Sequence, residues 1–177
     1  MKKLVLLASL LLLGSSPVSA KDSLYTKEDF SIFEKADTSV IGVDEHDTGL
    51  LTVDMEMVNI ISDKSAIEGF GLGIYMFLTS DDLPDIPNGV VFRGYPTEGT
   101  HQDTAVAVYY YNEETANRDW NKVNISGKDI YKLTDYISVV SPFSSYLENY
   151  SSTMTVDEDD PIDNALMRMT TMPKPQE

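Results

Sequence analysis

The 177-residue chain has no cysteine. That excludes disulfide bonds, thiolate metal sites and a cysteine nucleophile. It also excludes a lipid-anchored lipoprotein, whose export signal must end on a cysteine. Long apolar runs are nearly as scarce. The longest, Leu4 to Leu13, is about half the roughly 20 residues that a membrane span requires, and no second run follows. Positive charge is short too, with 13 Lys and Arg against 29 Asp and Glu and a net charge of −16. Such a field repels phosphate backbones and anionic lipid, so neither nucleic acid nor a membrane surface is expected as a direct partner. There are two histidines, His46 and His101, and no Gly-x-Ser-x-Gly turn to present a serine nucleophile.

What is present begins at the N-terminus. Lys2 and Lys3 form a positive n-region, Leu4 to Leu13 an apolar h-region, and Gly14 to Pro17 a helix break. Val18-Ser19-Ala20 then places small residues at a cleavage site. Residues 1–20 are therefore expected to be a cleaved secretory signal peptide, and the remainder to be secreted or periplasmic. Residues 21–172 are expected to form a single globular domain and 173–177 a flexible tail. Removing Lys2 and Lys3 leaves 11 basic residues against 29 acidic, a net charge of −18. Without disulfides, a core alone must stabilise such a chain, and its length allows one.

Hydrophobic spacing gives the expected elements. Thr26 and Asp29 at N-cap and N3, with Tyr25 and Phe30 as a staple, predict a helix within 21–36. Leu51, Val53, Met55 and Met57 alternate with Thr52, Asp54 and Glu56, which predicts a half-buried strand. Gly69 to Thr79 alternates Phe70, Leu72, Ile74, Met76 and Leu78 with three glycines, and reads as a second strand. Its glycines imply a close backbone approach or a bend. Being apolar on both sides and uncharged, it must lie inside the sheet or at an interface. Val90–Tyr95 and Thr104–Asn112 read as strands three and four, and 120–125 as a fifth or a loop. Helices are expected over 129–140, from Ser141-Pro142 to Tyr150, and from Asp160-Pro161 onward, where Ile162, Ala165, Leu166 and Met169 make a stripe. Residues 153–156 suit a short strand. The expected fold is α+β, an antiparallel meander of four to five strands flanked by an N-terminal helix and C-terminal helices. The alternative is a β-sandwich in which 120–156 supplies further strands.

The densest carboxylates, Asp157, Asp159, Asp160 and Asp163, offer the oxygens that calcium requires, so Ca2+ is the one cofactor with a candidate site. The loop lacks EF-hand spacing and its central glycine, and Asp160 also suits a helix N-cap. Asp81-Asp82-Asp85 and Asp44-Glu45-Asp47 are sparser sets of the same kind. Met55, Met57, Met167 and Met169 have the softness for Cu(I), but two share an apolar strand face and Met169 a helical stripe, which suits packing. Tyr109, Tyr111 and Trp120 are a candidate aromatic binding patch beside Glu113-Glu114. Their plainer use is as sheet core. Asn124-Ile125-Ser126 and Asn149-Tyr150-Ser151 have the form of glycosylation sequons. The expected function is an exported, acidic, non-catalytic binding or interaction protein of the envelope or extracellular space, with a protein or envelope component as partner. The alternatives are a small carboxylate-dependent glycan hydrolase and a calcium-dependent binding module.

Overall fold

The computed structural model describes residues 40–46, 48–57, 62–80, 83, 86, 88–97, 104–150, 157 and 159–169. The expected signal peptide, the helix expected within 21–36, the Asp81-Asp82-Asp85 set, His101, the strand expected at 153–156 and the expected tail 173–177 lie outside them. Among the described residues the strands are β1 (Val40–Glu45), β2 (Leu51–Met57), β3 (Val90–Pro96), β4 (Ala107–Tyr111) and β5 (Tyr136–Val139). They form one sheet in the order β1-β2-β3-β4-β5. The class is α+β, but the sheet is mixed. β2 and β3 run parallel, pairing Leu51 with Val90 through Met57 with Pro96. The other neighbours are antiparallel. The expected pure meander is thus corrected at one connection.

That connection is helix α1 (Asp63–Leu78), where a strand was expected over Gly69–Thr79. A helix of 16 residues is about 24 Å long, enough to carry the chain back along the sheet face and start β3 in the direction of β2. Two signals start it. Ser62 Oγ accepts the Ser65 N–H and Ser65 Oγ accepts the Ser62 N–H, a reciprocal cap, and Asp63 complements the helix dipole. Ala66, Ile67, Phe70, Ile74 and Phe77 then fall on one buried stripe at helical spacing. The alternation read as a strand came from the glycines, two of which do serve close approach. A Cβ on Gly71 would lie 3.2 Å from the Lys128 carbonyl oxygen, and one on Gly73 would lie 2.5 Å from Met55 Cε.

The main core lies between α1 and the sheet face bearing Val53, Met55, Phe92, Tyr109 and Tyr111. Edge-to-face ring pairs run through it: Phe77–Phe92, Phe92–Tyr111 and Tyr111–Trp120. After β4 come α2 (Glu113–Ala116) and three 3-10 turns, η1 (Trp120–Lys122), η2 (Gly127–Leu133) and η3 (Phe143–Tyr146). The helix expected over 129–140 divides into η2 and β5. Thr134 turns to extended geometry at its end, and Tyr136 to Val139 pair with β4. The helix expected from Ser141 to Tyr150 is reduced to η3.

The opposite sheet face carries a smaller cluster of Leu50, Val91, Tyr95, Val108 and Tyr110, under α3 (Pro161–Met169), which buries Ala165 and Leu166 there. Thr52 and Asp54, expected to face solvent, are buried on this side, while Glu56 is half-buried. Arg93 meets Asp54 with two parallel bonds, Nε to Oδ1 at 2.6 Å and a terminal guanidinium nitrogen to Oδ2 at 2.7 Å. The cross-strand register places this pair side by side on β2 and β3.

Candidate functional site

The carboxylates of the acidic loop bond to the chain's own backbone. Asp160 Oδ1 accepts the backbone N–H groups of Ile162 and Asp163 and so caps α3. Asp163 is buried and its Oδ2 accepts the Asp157 N–H at 2.7 Å. Asp157 Oδ1 accepts the Asp159 N–H at 3.0 Å. Among the described residues, no group of three or more His, Asp or Glu side chains is placed to hold one metal ion. The loop borders a shallow hollow of about 200 Å3 shared with His46, Asn164 and Arg168. His46 is held from the other side, its Nδ1 accepting the Thr48 N–H at 3.3 Å.

Tyr109, Tyr111 and Trp120 are not offered to solvent. Their exposures are 0%, 0% and 2%. The alternation along β4 sends Tyr109 and Tyr111 into the main core, and the Tyr111 hydroxyl donates to the Ile130 carbonyl. Burial raises the hydroxyl pKa of both. Glu113 and Glu114 stand exposed on the first turn of α2. Met55 and Met57 are fully buried core, as their apolar strand face implied. Asn124 and Asn149 are both exposed.

Two features were missed in the sequence. The first is a hollow of about 180 Å3 between the end of α1 and the α2–η1 corner. Its open lining is mostly polar, from Ser80, Asn117, Arg118, Asp119 and Asn121, with the buried Leu78, Ile86 and Trp120 beneath. Asn117 clamps its two sides, accepting the Ile86 N–H and donating to the Ile86 carbonyl. The Trp120 indole N–H donates to the Ala116 carbonyl at 3.1 Å. Over that ring, 5.3 Å from its centroid, lies the Arg118 guanidinium, which also donates to Thr115 Oγ1 at 3.1 Å. The second feature is the outward side of α1, where Leu72 and Met76 are 50% and 43% exposed beside Gly69. A helical reading of 63–78 would have found that ridge, but the strand reading put Leu72 and Met76 on one face with Phe70 and Ile74.

No family model, curated protein or solved structure matches the chain. No helix among the described residues is long and apolar enough to cross a membrane.

Proposed function

We propose that the chain is an exported acidic protein that acts by binding a partner, not by catalysis, and that the outward side of α1 is its docking surface. The observation that carries this reading is the composition of α1 from Gly69 to Leu78. Those residues include no charge, although only one side of the helix is buried. A helix covering a sheet ordinarily turns charged residues outward. Here Leu72 and Met76 take those places, four residues apart on one ridge. The partner is a protein surface that is apolar at its centre and basic at its rim. The net charge of −16 favours basic groups, and the same charge disfavours a second copy.

The test places a photo-crosslinking residue at position 76 of the full chain in its own cells. One discrete adduct is expected, lost with Leu72→Asp, while the same residue at exposed Glu114 gives none. Equal labelling at both positions, or none at 76, overturns the docking reading. Export is read separately. The chain recovered outside the cytoplasm should begin at Lys21, and an unprocessed cytoplasmic chain would refute that part.

A further inference from the structure

We propose that Met76 is an oxidation-sensitive modification site. Hydrogen peroxide converts its thioether to the sulfoxide ahead of Met55, Met57 and Met167, and the conversion ends docking on the outward side of α1. The order of oxidation stands on the chain alone, and the loss of docking rests on the docking reading above. The chain has no cysteine, so no thiol competes for a two-electron oxidant, and the thioethers are the reactive sulfur it offers. Exposure sorts them first. Met55 and Met57 are fully buried in the main core, whereas Met76 and Met167 are 43% and 47% exposed.

A hydrogen bond separates the two exposed sulfurs. The Tyr136 hydroxyl donates to Met167 Sδ at 4.0 Å and so draws on the lone pair that must attack. Among the described residues no donor meets Met76 Sδ, and Thr79 Oγ1 reaches only the Met76 carbonyl, at 3.3 Å. In the reaction the sulfur lone pair attacks one peroxide oxygen. An S–O bond forms, the O–O bond breaks, and the departing hydroxide takes the proton of the transferred oxygen and leaves as water. Sulfur gives up two electrons and the peroxide accepts them.

Position decides what the product does. At Met55 or Met57 a sulfoxide would place an unpaired polar oxygen in the core and cost the fold. At Met76 that oxygen stays in water, so the fold is kept and the surface alone changes. The ridge of Leu72 and Met76 lies in a stretch of α1 without charge, and half of it turns polar. A partner covering it must then bury an oxygen that its apolar centre does not satisfy. Sulfoxide reductases return the thioether, so the change is reversible.

Hydrogen peroxide is titrated into the full chain and each methionine is read by peptide mass. Met76 should gain oxygen first, severalfold faster than Met167, while Met55 and Met57 stay unmodified and the thermal midpoint does not fall. Oxidation of Met167 first, or of both at one rate, overturns the assignment. Docking is read on the purified chain with a photo-crosslinking residue at position 72, oxidised, freed of peroxide and mixed with an extract of its own cells. The adduct should drop at least about tenfold, the cost of burying an unpaired polar oxygen, and a sulfoxide reductase should restore it. Met76→Leu sets its own starting yield, which prior oxidation should leave where it is, whereas Met167→Leu should lose its adduct as the natural chain does. An adduct that persists on the oxidised natural chain, or that falls equally in Met76→Leu, overturns the loss of docking. No adduct before oxidation overturns the docking reading and this loss with it, and the mass map still decides the oxidation site.

Discussion

Asp54 and Arg93 place two charges where the fold has little water, on neighbouring strands and under Tyr95, whose ring lies 5.8 Å from the guanidinium. Burial pushes the Asp54 carboxyl above its ordinary value, and Arg93 only partly pulls it back. The pair therefore does not recover the whole cost of its own desolvation. Asp54→Ala leaves Arg93 buried beside an empty position, with an expected loss of about 3–5 kcal/mol by urea unfolding. The double change Asp54→Leu with Arg93→Met should restore most or all of it. Arg93→Met alone carries a pH signature. It leaves a buried carboxyl whose folded pKa rises further above its unfolded value of about 3.9. Stability from such a group is fully present below the unfolded pKa and lost as pH rises through the folded one. The deficit of Arg93→Met against the natural chain should thus shrink as pH falls from 7 toward about 4. A deficit that grows on acidification would mean the carboxylate stays charged without its partner.

Within elements, α1 shows what the sequence conveyed and what it concealed. The apolar pattern of 51–57 survives translation because alternation has one cause in a strand, the pleat. The pattern of 69–78 does not, because Phe70, Ile74 and Phe77 sit at helical spacing while Gly69, Gly71 and Gly73 mimic a two-residue period. The deciding residues lay upstream, in the reciprocal cap of Ser62 and Ser65. Likewise Asp160-Pro161 announced α3 correctly because a cap is a local contact, whereas β5 pairs with β4 across a long loop and had no local signature. At the candidate sites, the acidic run was visible but its capping duties were not, and the Arg118–Trp120 hollow depends on contacts that no spacing encodes. The glycines provide a test. Gly69 is exposed, with nothing within 4 Å of the place its Cβ would occupy, so Gly69→Ala should stabilise by about 0.5–1 kcal/mol through helix propensity. Gly71→Ala gains the same propensity but drives its Cβ toward the Gly127 and Lys128 carbonyl oxygens at 3.2–3.3 Å. It should lie below Gly69→Ala in thermal midpoint, and parity between them would show that η2 yields freely.

For the molecule as a whole, a net charge of −16 has consequences that no single contact carries. Self-repulsion opposes the compact state, and dissolved salt screens it over about 10 Å at 0.1 M. The melting temperature should therefore rise with sodium chloride from low to moderate concentration. A divalent ion adds to this without a dedicated site, because it screens more strongly at the same concentration. Calcium and magnesium at matched ionic strength should then raise the melting temperature alike. The reason is local. Asp160 already accepts N–H groups at the start of α3, Asp163 accepts one from Asp157, and Asp157 accepts one from Asp159, so the acidic loop holds its shape through its own backbone. Gathering all four carboxylates on one ion would cost those caps, about 1 kcal/mol each. A calcium-specific rise of several degrees, lost in Asp159→Asn, would mean that ion binding outweighs that cost, and would make the loop a calcium-coupled element of the fold. Asp163→Ala separates the two cases further. It removes the buried acceptor of the Asp157 N–H, so it should lower stability in chelator as much as in calcium, since what is lost is a hydrogen bond of the folded chain and not a ligand of an ion.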